Sequence, residues 1–154
     1  MIDSLINRLK KEGKLAGQKV GIVQIEDLIK EAIIDLDEAK KTLRISADRA
    51  TYLMAYMAML KAGRALLLLK GYRPADGSQH KTVVEMTGAI LGDKYVNLVN
   101  HFETMRRKRN ELTYEAGGLL SRSDAENAMQ NAGLLVKKIL EEAKSRNPQL
   151  ELDF

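Results

Sequence analysis

Apolar residues recur at three- and four-residue intervals along most of this chain, the period of helices with one buried face. Ile2, Leu5, Ile6 and Leu9 predict a short amphipathic helix, and the Gly-bearing stretch GKLAGQKVG (13–21) breaks it into a loop. Ile25, Leu28, Ile29, Ala32, Ile33, Leu36, Ala39 and Leu43 then mark a longer helix that stops near Ile45. Ser46 is the expected N-cap of the next helix, with Asp48 favouring the dipole in its first turn. From Ala47 to Lys70 the pattern is apolar on nearly every face, as in ATYLMAYMAML and ALLLL. Such a helix packs against several neighbours and belongs at the centre of a bundle. Met54, Met57 and Met59 are read as part of that packing, while Tyr52 and Tyr56 need partners for their hydroxyls if buried.

The segment KGYRPADGSQ reads as a loop, with Gly71 closing the preceding helix and Pro74 preventing its continuation. Val83, Val84, Thr87, Ile90 and Leu91 predict a shorter helix, with His80 and Lys81 near its start. Tyr95, Leu98, Phe102, Met105 and Leu112 define another, which Gly117 and Gly118 end. Arg109 occupies the apolar phase of that helix between Met105 and Leu112, an expensive place for a charge unless it is paired, solvated or at an interface. A last helix carries Ala125, Ala128, Met129, Ala132, Leu135, Val136, Ile139 and Ala143, and Ser123 with Glu126 fits a capping box at its start. No segment shows the period of two that marks a strand. The expectation is an all-α antiparallel helical bundle. It divides into an N-terminal helical arm and Gly-rich loop at 1–22, a bundle at 23–145, and a polar tail at 146–154 that is mobile at its end.

Composition narrows the chemistry. A chain of 154 residues with 45% hydrophobic content is long and apolar enough for one packed core and too apolar for a disordered chain. Without cysteine there is neither a disulfide framework nor a thiolate metal site. The two histidines, His80 and His101, lack the spacing of a helical metal pair, so no metal and no cofactor is expected. Lys61 and Arg64 interrupt the apolar run Tyr52 to Leu69, which favours a core helix over a membrane span. No signal-peptide pattern opens the chain, so the expected location is cytoplasmic. The net charge of +4 tolerates a polyanionic partner. The basic run Arg106 to Arg109 says more than the total.

The stretches ADRATYLMAYMAMLKAGRALLLLKGYRP, HKTVVEM and RRKRNELTYEAGGLLSRSDAENAM carry a specific resemblance. In their order and content they resemble the HEPN-domain family, in particular one uncharacterised bacterial and archaeal branch, from about Glu31 to Glu142. The resemblance implies a HEPN-like four-helix core plus the N-terminal helix. Ribonuclease members of the family use an Arg, a polar residue, three further residues and then His. Arg109 and Asn110 match the first two positions, and Tyr114 stands where the His would be. The resemblance also implies a homodimer that brings two copies of the motif together, and a toxin–antitoxin or defence pair with a minimal nucleotidyltransferase partner.

The altered motif changes the expected chemistry. Metal-independent RNA cleavage needs a base for the ribose 2′-OH and an acid for the leaving oxygen, and imidazole serves both near neutral pH. A phenol with a pKa near 10 is a poor base there. Arg109 is suited to hold phosphate bidentately, with Arg106, Lys108, His80 and Lys81 as further phosphate-binding candidates. His101 lies about 12 Å along the helix from Arg109, too far to replace the missing His. His80 reaches the motif only if tertiary packing brings it there. The preferred reading is a HEPN protein that binds RNA or nucleotide phosphate through a basic groove with weak or no nuclease activity. The alternatives are an active metal-independent endoribonuclease toxin and a non-catalytic dimeric scaffold for a partner protein. A purely architectural explanation, in which the basic run complements the helix dipole and Asn110 and Tyr114 form an i,i+4 pair, leaves Arg109 in its apolar phase unexplained.

Overall fold

The structure is a computed structural model and describes residues 2–75, 79–114, 119–150 and 152. Among them the chain forms helix α1 (Ile2–Lys11), strand β1 (Leu15–Gly17), helices α2 (Ile22–Arg44) and α3 (Asp48–Leu69), and strand β2 (Tyr72–Pro74). Helix α4 (Gln79–Leu91) follows, then a single 3-10 turn (Asp93–Tyr95), α5 (Val96–Tyr114) and α6 (Arg122–Arg146). The architecture is all-α, as the periodicity requires.

Helix α3 is the axis. Its length and apolarity alone would suit a membrane span. Instead α2, α4, α5 and α6 all pack against it, and Ala55, Tyr56, Ala58, Met59, Ala62, Ala65, Leu66 and Leu67 lose all contact with solvent. A helix apolar on most faces has no polar face to turn outward, so burial on all sides is its stable state. Met59 is in the core, while Met54 and Met57 lie at its edge. Gly63 lets α4 approach closely. A Cβ there would sit 2.6 Å from Val83 Cγ1 and 3.0 Å from Thr87 Oγ1, so any larger residue would push α4 away.

One of the two charges that interrupt the apolar run of α3, Lys61, is fully accounted for within the bundle. Lys61 Nζ lies 2.8 Å from the carboxylate of Asp35, which is 4% exposed, and 3.5 Å from Glu31, both on α2. Burial disfavours the ammonium, but the hydrogen bond and charge of Asp35, helped by Glu31, outweigh it and raise the Lys61 pKa.

Three local readings of the sequence are corrected. The Gly-rich stretch and the GYRP segment are not simple loops. Leu15, Ala16 and Gly17 pair antiparallel with Pro74, Arg73 and Tyr72, and the flanking bonds Gln18 N–H to Gly71 O (2.8 Å) and Ala75 N–H to Lys14 O (3.0 Å) extend the ribbon. Three-residue strands are too short to show a period of two, which is why the pattern hid them. Ser46 does not cap α3. It adopts φ +60° and closes the turn after α2, and Ala47 is the N-cap. The capping box of α6 is set two residues earlier than expected, with Ser121 Oγ accepting from Asp124 N–H and Asp124 accepting from Ser121 N–H. Asp serves as well as Glu when its carboxylate reaches back, so the sequence offers two overlapping boxes. Gly71 does close α3, at φ +88°, where a side chain would be strained. Gly117 and Gly118 lie outside the described residues.

The termini join the core. Leu9 of α1 is fully buried, and Arg8 bonds Glu85 of α4 at 2.9 Å. Leu150, in the segment read as a polar tail, is 7% exposed and clusters with Ile25, Ile29, Ala65, Leu140 and Ala143. At the far end of the bundle Arg122 donates to Leu43 O (2.7 Å) and Asp48 Oδ1 (2.9 Å), tying the start of α6 to the α2–α3 turn.

Candidate phosphate-binding site

The site lies where α3, the start of α4 and the second half of α5 meet. Tyr56 faces inward from α3 with 0% exposure. Its hydroxyl is 2.9 Å from Nδ1 of His80, in the first turn of α4. The Tyr56 ring lies 5.8 Å from the His80 ring and 5.9 Å from that of Phe102 on α5, so aromatic contacts fix it on two sides. Tertiary packing thus brings His80 to the motif, which sequence alone left open.

The electrostatics identify the neighbours. Burial lowers the His80 pKa, and the charges of Arg109, Arg64 and Arg106 lower it further. The Tyr56 hydroxyl is pushed up to about 12, chiefly by burial, with Arg109, Arg106 and Arg64 opposing and Glu103 reinforcing. The charges of three guanidinium groups from two helices therefore act on one neutral imidazole and one neutral phenol. Arg106 is held by Glu103, with its second guanidinium nitrogen 3.1 Å from Oε2. That bond, led by Arg106 and assisted by Arg107 and Lys81, holds the Glu103 carboxyl below its ordinary range. Among the described residues Arg109 Nη1 donates to Asn110 Oδ1 alone, at 3.3 Å, and its guanidinium carbon lies 5.7 Å from the centre of the Tyr114 ring. Neither Arg109 nor Arg64 has a carboxylate partner among the described residues. An excess of positive charge held beside a half-buried imidazole is an arrangement that an anion would relieve.

The sequence-derived candidates separate on this geometry. Arg109, Arg106 and His80 come together, and Lys81 lies close enough to act on Glu103. Lys108 does not join them. Two residues beyond Arg106 it is turned about 200° around α5, and it pairs with Glu111 at 3.5 Å. Asn110 is exposed, and Tyr114 is 74% exposed at the mouth of the site, in contact with Arg109 and outside the Tyr56–His80 pair. His101 belongs to a different place. It lines an open groove of about 630 Å³ between α5 and α6, with Tyr95, Leu98, Leu134, Lys137 and Lys138 among its neighbours, and Asp124 is the charge that acts on it. Arg64 and Tyr56 were missed as site residues. The available signal was Arg64 itself, a cation in a helix that is otherwise apolar on almost every face.

The match to known families follows the same segment. A family model described as HEPN domain matches residues 25–143, which include all of α3, α4 and α5. This chain belongs to the HEPN-domain family. The HEPN core therefore begins within α2 and ends within α6, and α1 with β1 precedes it. No curated protein matches the chain. In this HEPN protein the motif Arg109 is joined by Arg64 and by an imidazole from another helix, and the motif Tyr114 stands outside them.

Proposed function

We propose that this HEPN protein binds the phosphate groups of RNA in the groove over His80, through Arg109, Arg64 and Arg106 with Lys81 at the rim. The observation that carries the reading is the Tyr56–His80 pair, closed at 2.9 Å, on which the charges of all three guanidinium groups act. Arginine matches phosphate oxygens bidentately, and the half-buried setting strengthens each contact. A scaffold role alone offers no reason to hold Arg64 and Arg109 beside a buried aromatic cluster.

The groove is shared between two copies in a symmetric homodimer. Exposed apolar side chains at the same end of the bundle support this, namely Ile45 (76% exposed) beside the α2–α3 turn and Leu119 (82% exposed) before α6, with Tyr114 near the motif. Isologous pairing is the commonest way to cover such a surface. Family membership suggests a cytoplasmic toxin–antitoxin or defence pair with a minimal nucleotidyltransferase.

Fluorescence anisotropy with a short single-stranded RNA tests the binding. Affinity should fall steeply between 50 and 200 mM salt, by about tenfold or more if several phosphates are neutralised. Arg109→Ala and Arg64→Ala should each weaken it about tenfold. A mononucleotide arm separates a single-phosphate site from a strand-binding groove. Binding that ignores both salt and the two substitutions would overturn the reading, and light scattering at a monomer mass in the high micromolar range would remove the dimer.

A further inference from the structure

We propose that the groove between α5 and α6 binds a small organic acid, with Leu98 and Leu134 against its apolar body and Lys94 and Lys137 at its carboxylate. None of these residues belongs to the site over His80, so the inference stands apart from the RNA reading.

The groove has the size for such a ligand and two unlike ends. It encloses about 630 Å³, within the range of small-molecule sites. On α6 its lining runs from Asn131 to Glu141, about 15 Å at the helical rise. Lys138 Nζ stands 5.1 Å over the Tyr95 ring, while Asp124, near the start of α6, acts on His101 further along α5, so the two helices run antiparallel. Lys94 and Tyr95 therefore face Lys137 and Lys138 at one end of the groove. Leu98 and His101 face Asn131 and Leu134 at the other.

The first end is cationic. Lys138 is engaged by Glu142 at 3.1 Å as well as by Tyr95. Neither Lys94 nor Lys137 forms an ion pair among the described residues, although Glu141 stands one helical turn beyond Lys137 and lines the same groove. Lys94, Lys137 and Lys138 against Glu141 leave the lining net positive. The second end is neutral. Burial lowers the His101 pKa against the pull of Asp124, and its Nδ1 is enclosed with no hydrogen-bond partner among the described residues, so the ring is uncharged at neutral pH. Leu134 is 53% exposed, and among the described residues of α6 it is the one large hydrophobic so exposed. A partner helix would need a longer apolar stripe to rest on. A compact apolar body needs only Leu134 and Leu98. An inorganic anion would leave Leu134 in water, and an uncharged apolar molecule would leave Lys94 and Lys137 unpaired. An organic acid lying along the groove satisfies both ends at once, its body supplying most of the affinity and its charge the direction.

The test is an amide-resolved NMR titration of the full chain with octanoate at low salt, with octanol, acetate and inorganic phosphate as separate arms. Octanoate should saturate with a Kd of about 1 mM or tighter and shift the amides of residues 94–101 and 131–141. Acetate lacks the body and should bind about tenfold more weakly. Octanol lacks the charge and should bind about fivefold more weakly. Leu134→Asp should weaken octanoate about tenfold. Lys94→Gln combined with Lys137→Gln should weaken it about fivefold and leave octanol unchanged. All three side chains are exposed, so the variants should keep the parent melting temperature. If one fails to fold, the ligand arms on the unmodified protein decide. Shifts confined to other residues, octanol binding as tightly as octanoate, or phosphate displacing octanoate would each overturn the proposal. So would a dimer mass that Leu134→Asp abolishes while octanoate fails to bind, because the groove would then be an interface between copies.

Discussion

Lys61 and Arg64, the two cations within the apolar run of α3, lie three residues apart and meet opposite fates. Lys61 turns to α2, where Asp35 and Glu31 neutralise it. Arg64 turns toward α4 and α5, where further positive charge from Arg106 and Arg109 reaches the same His80. On the first side charge is balanced inside the protein and serves its architecture. On the second the balance is left for something outside. A charge in an apolar helix is ambiguous by itself, and the sign of what it faces decides between fold and function.

The comparison breaks most severely at Asp35. Asp35→Ala leaves the Lys61 ammonium partly buried without its nearest partner, and should cost about 3 kcal/mol of stability in urea unfolding, with RNA binding by the remaining folded protein unchanged. An unaltered midpoint would show that Lys61 relaxes to water and that the pair is not architectural. Next comes Gly63→Ala, which links the two sides. Its Cβ would press on Val83 and Thr87, costing about 1–3 kcal/mol. Because His80 rides on the same helix, RNA affinity should fall together with stability, and a loss of stability alone would mean that α4 yields locally. Arg64→Ala and Arg109→Ala sharpen the contrast from the other direction. Each should change stability by no more than about 0.5 kcal/mol, or raise it, while weakening RNA binding. A large destabilisation by either would mark it as a structural cation like Lys61.

The smallest effect is the pH dependence. The folded-state pKa values of His80 and His101 are both depressed, first by burial. Above the unfolded value near 6.5 both states are neutral and nothing is lost. As pH falls below it, the unfolded chain takes up protons first, so stability drops until the folded-state values are passed. The unfolding midpoint should therefore decrease from pH 7 to pH 5. His80→Gln should remove part of that slope. A bound phosphate should also reduce it, because it offsets the arginines. A midpoint that is flat over this range would contradict both burial assignments.

How far the sequence was legible depended on the range of the signal. The long helices were readable because each carries its own 3.6-residue stripe, and α3 declared itself by having no polar face. Arg109 stood out because it broke a rhythm. The ribbon was invisible because three residues are too few to show alternation, and because its stability lies in pairing segments far apart in the chain. The cap of α6 slipped by two residues because Ser121–Asp124 and Ser123–Glu126 are both chemically adequate. Half of the candidate site was illegible for a deeper reason. Tyr56 and His80 are 24 residues apart on different helices, and no local pattern signals that a core tyrosine will meet a surface histidine. Lys108, by contrast, looked equivalent to Arg106 in a basic run and is separated from it by helix geometry alone.

The ribbon that joins Leu15–Gly17 to Tyr72–Pro74 also sets an order of events. Its pairs enclose all of α2 and α3, so it closes one of the larger loops in the chain, and loop closure of that length is slow compared with zipping up a helical hairpin. The α2–α3 hairpin has local contacts and is expected to form first. Only then does the ribbon, helped by Lys10 over the Tyr72 ring at 5.0 Å and Arg8 on Glu85, fasten the entry to α4 and bring His80 over Tyr56. Arg109 arrives later still during synthesis, carried by α5.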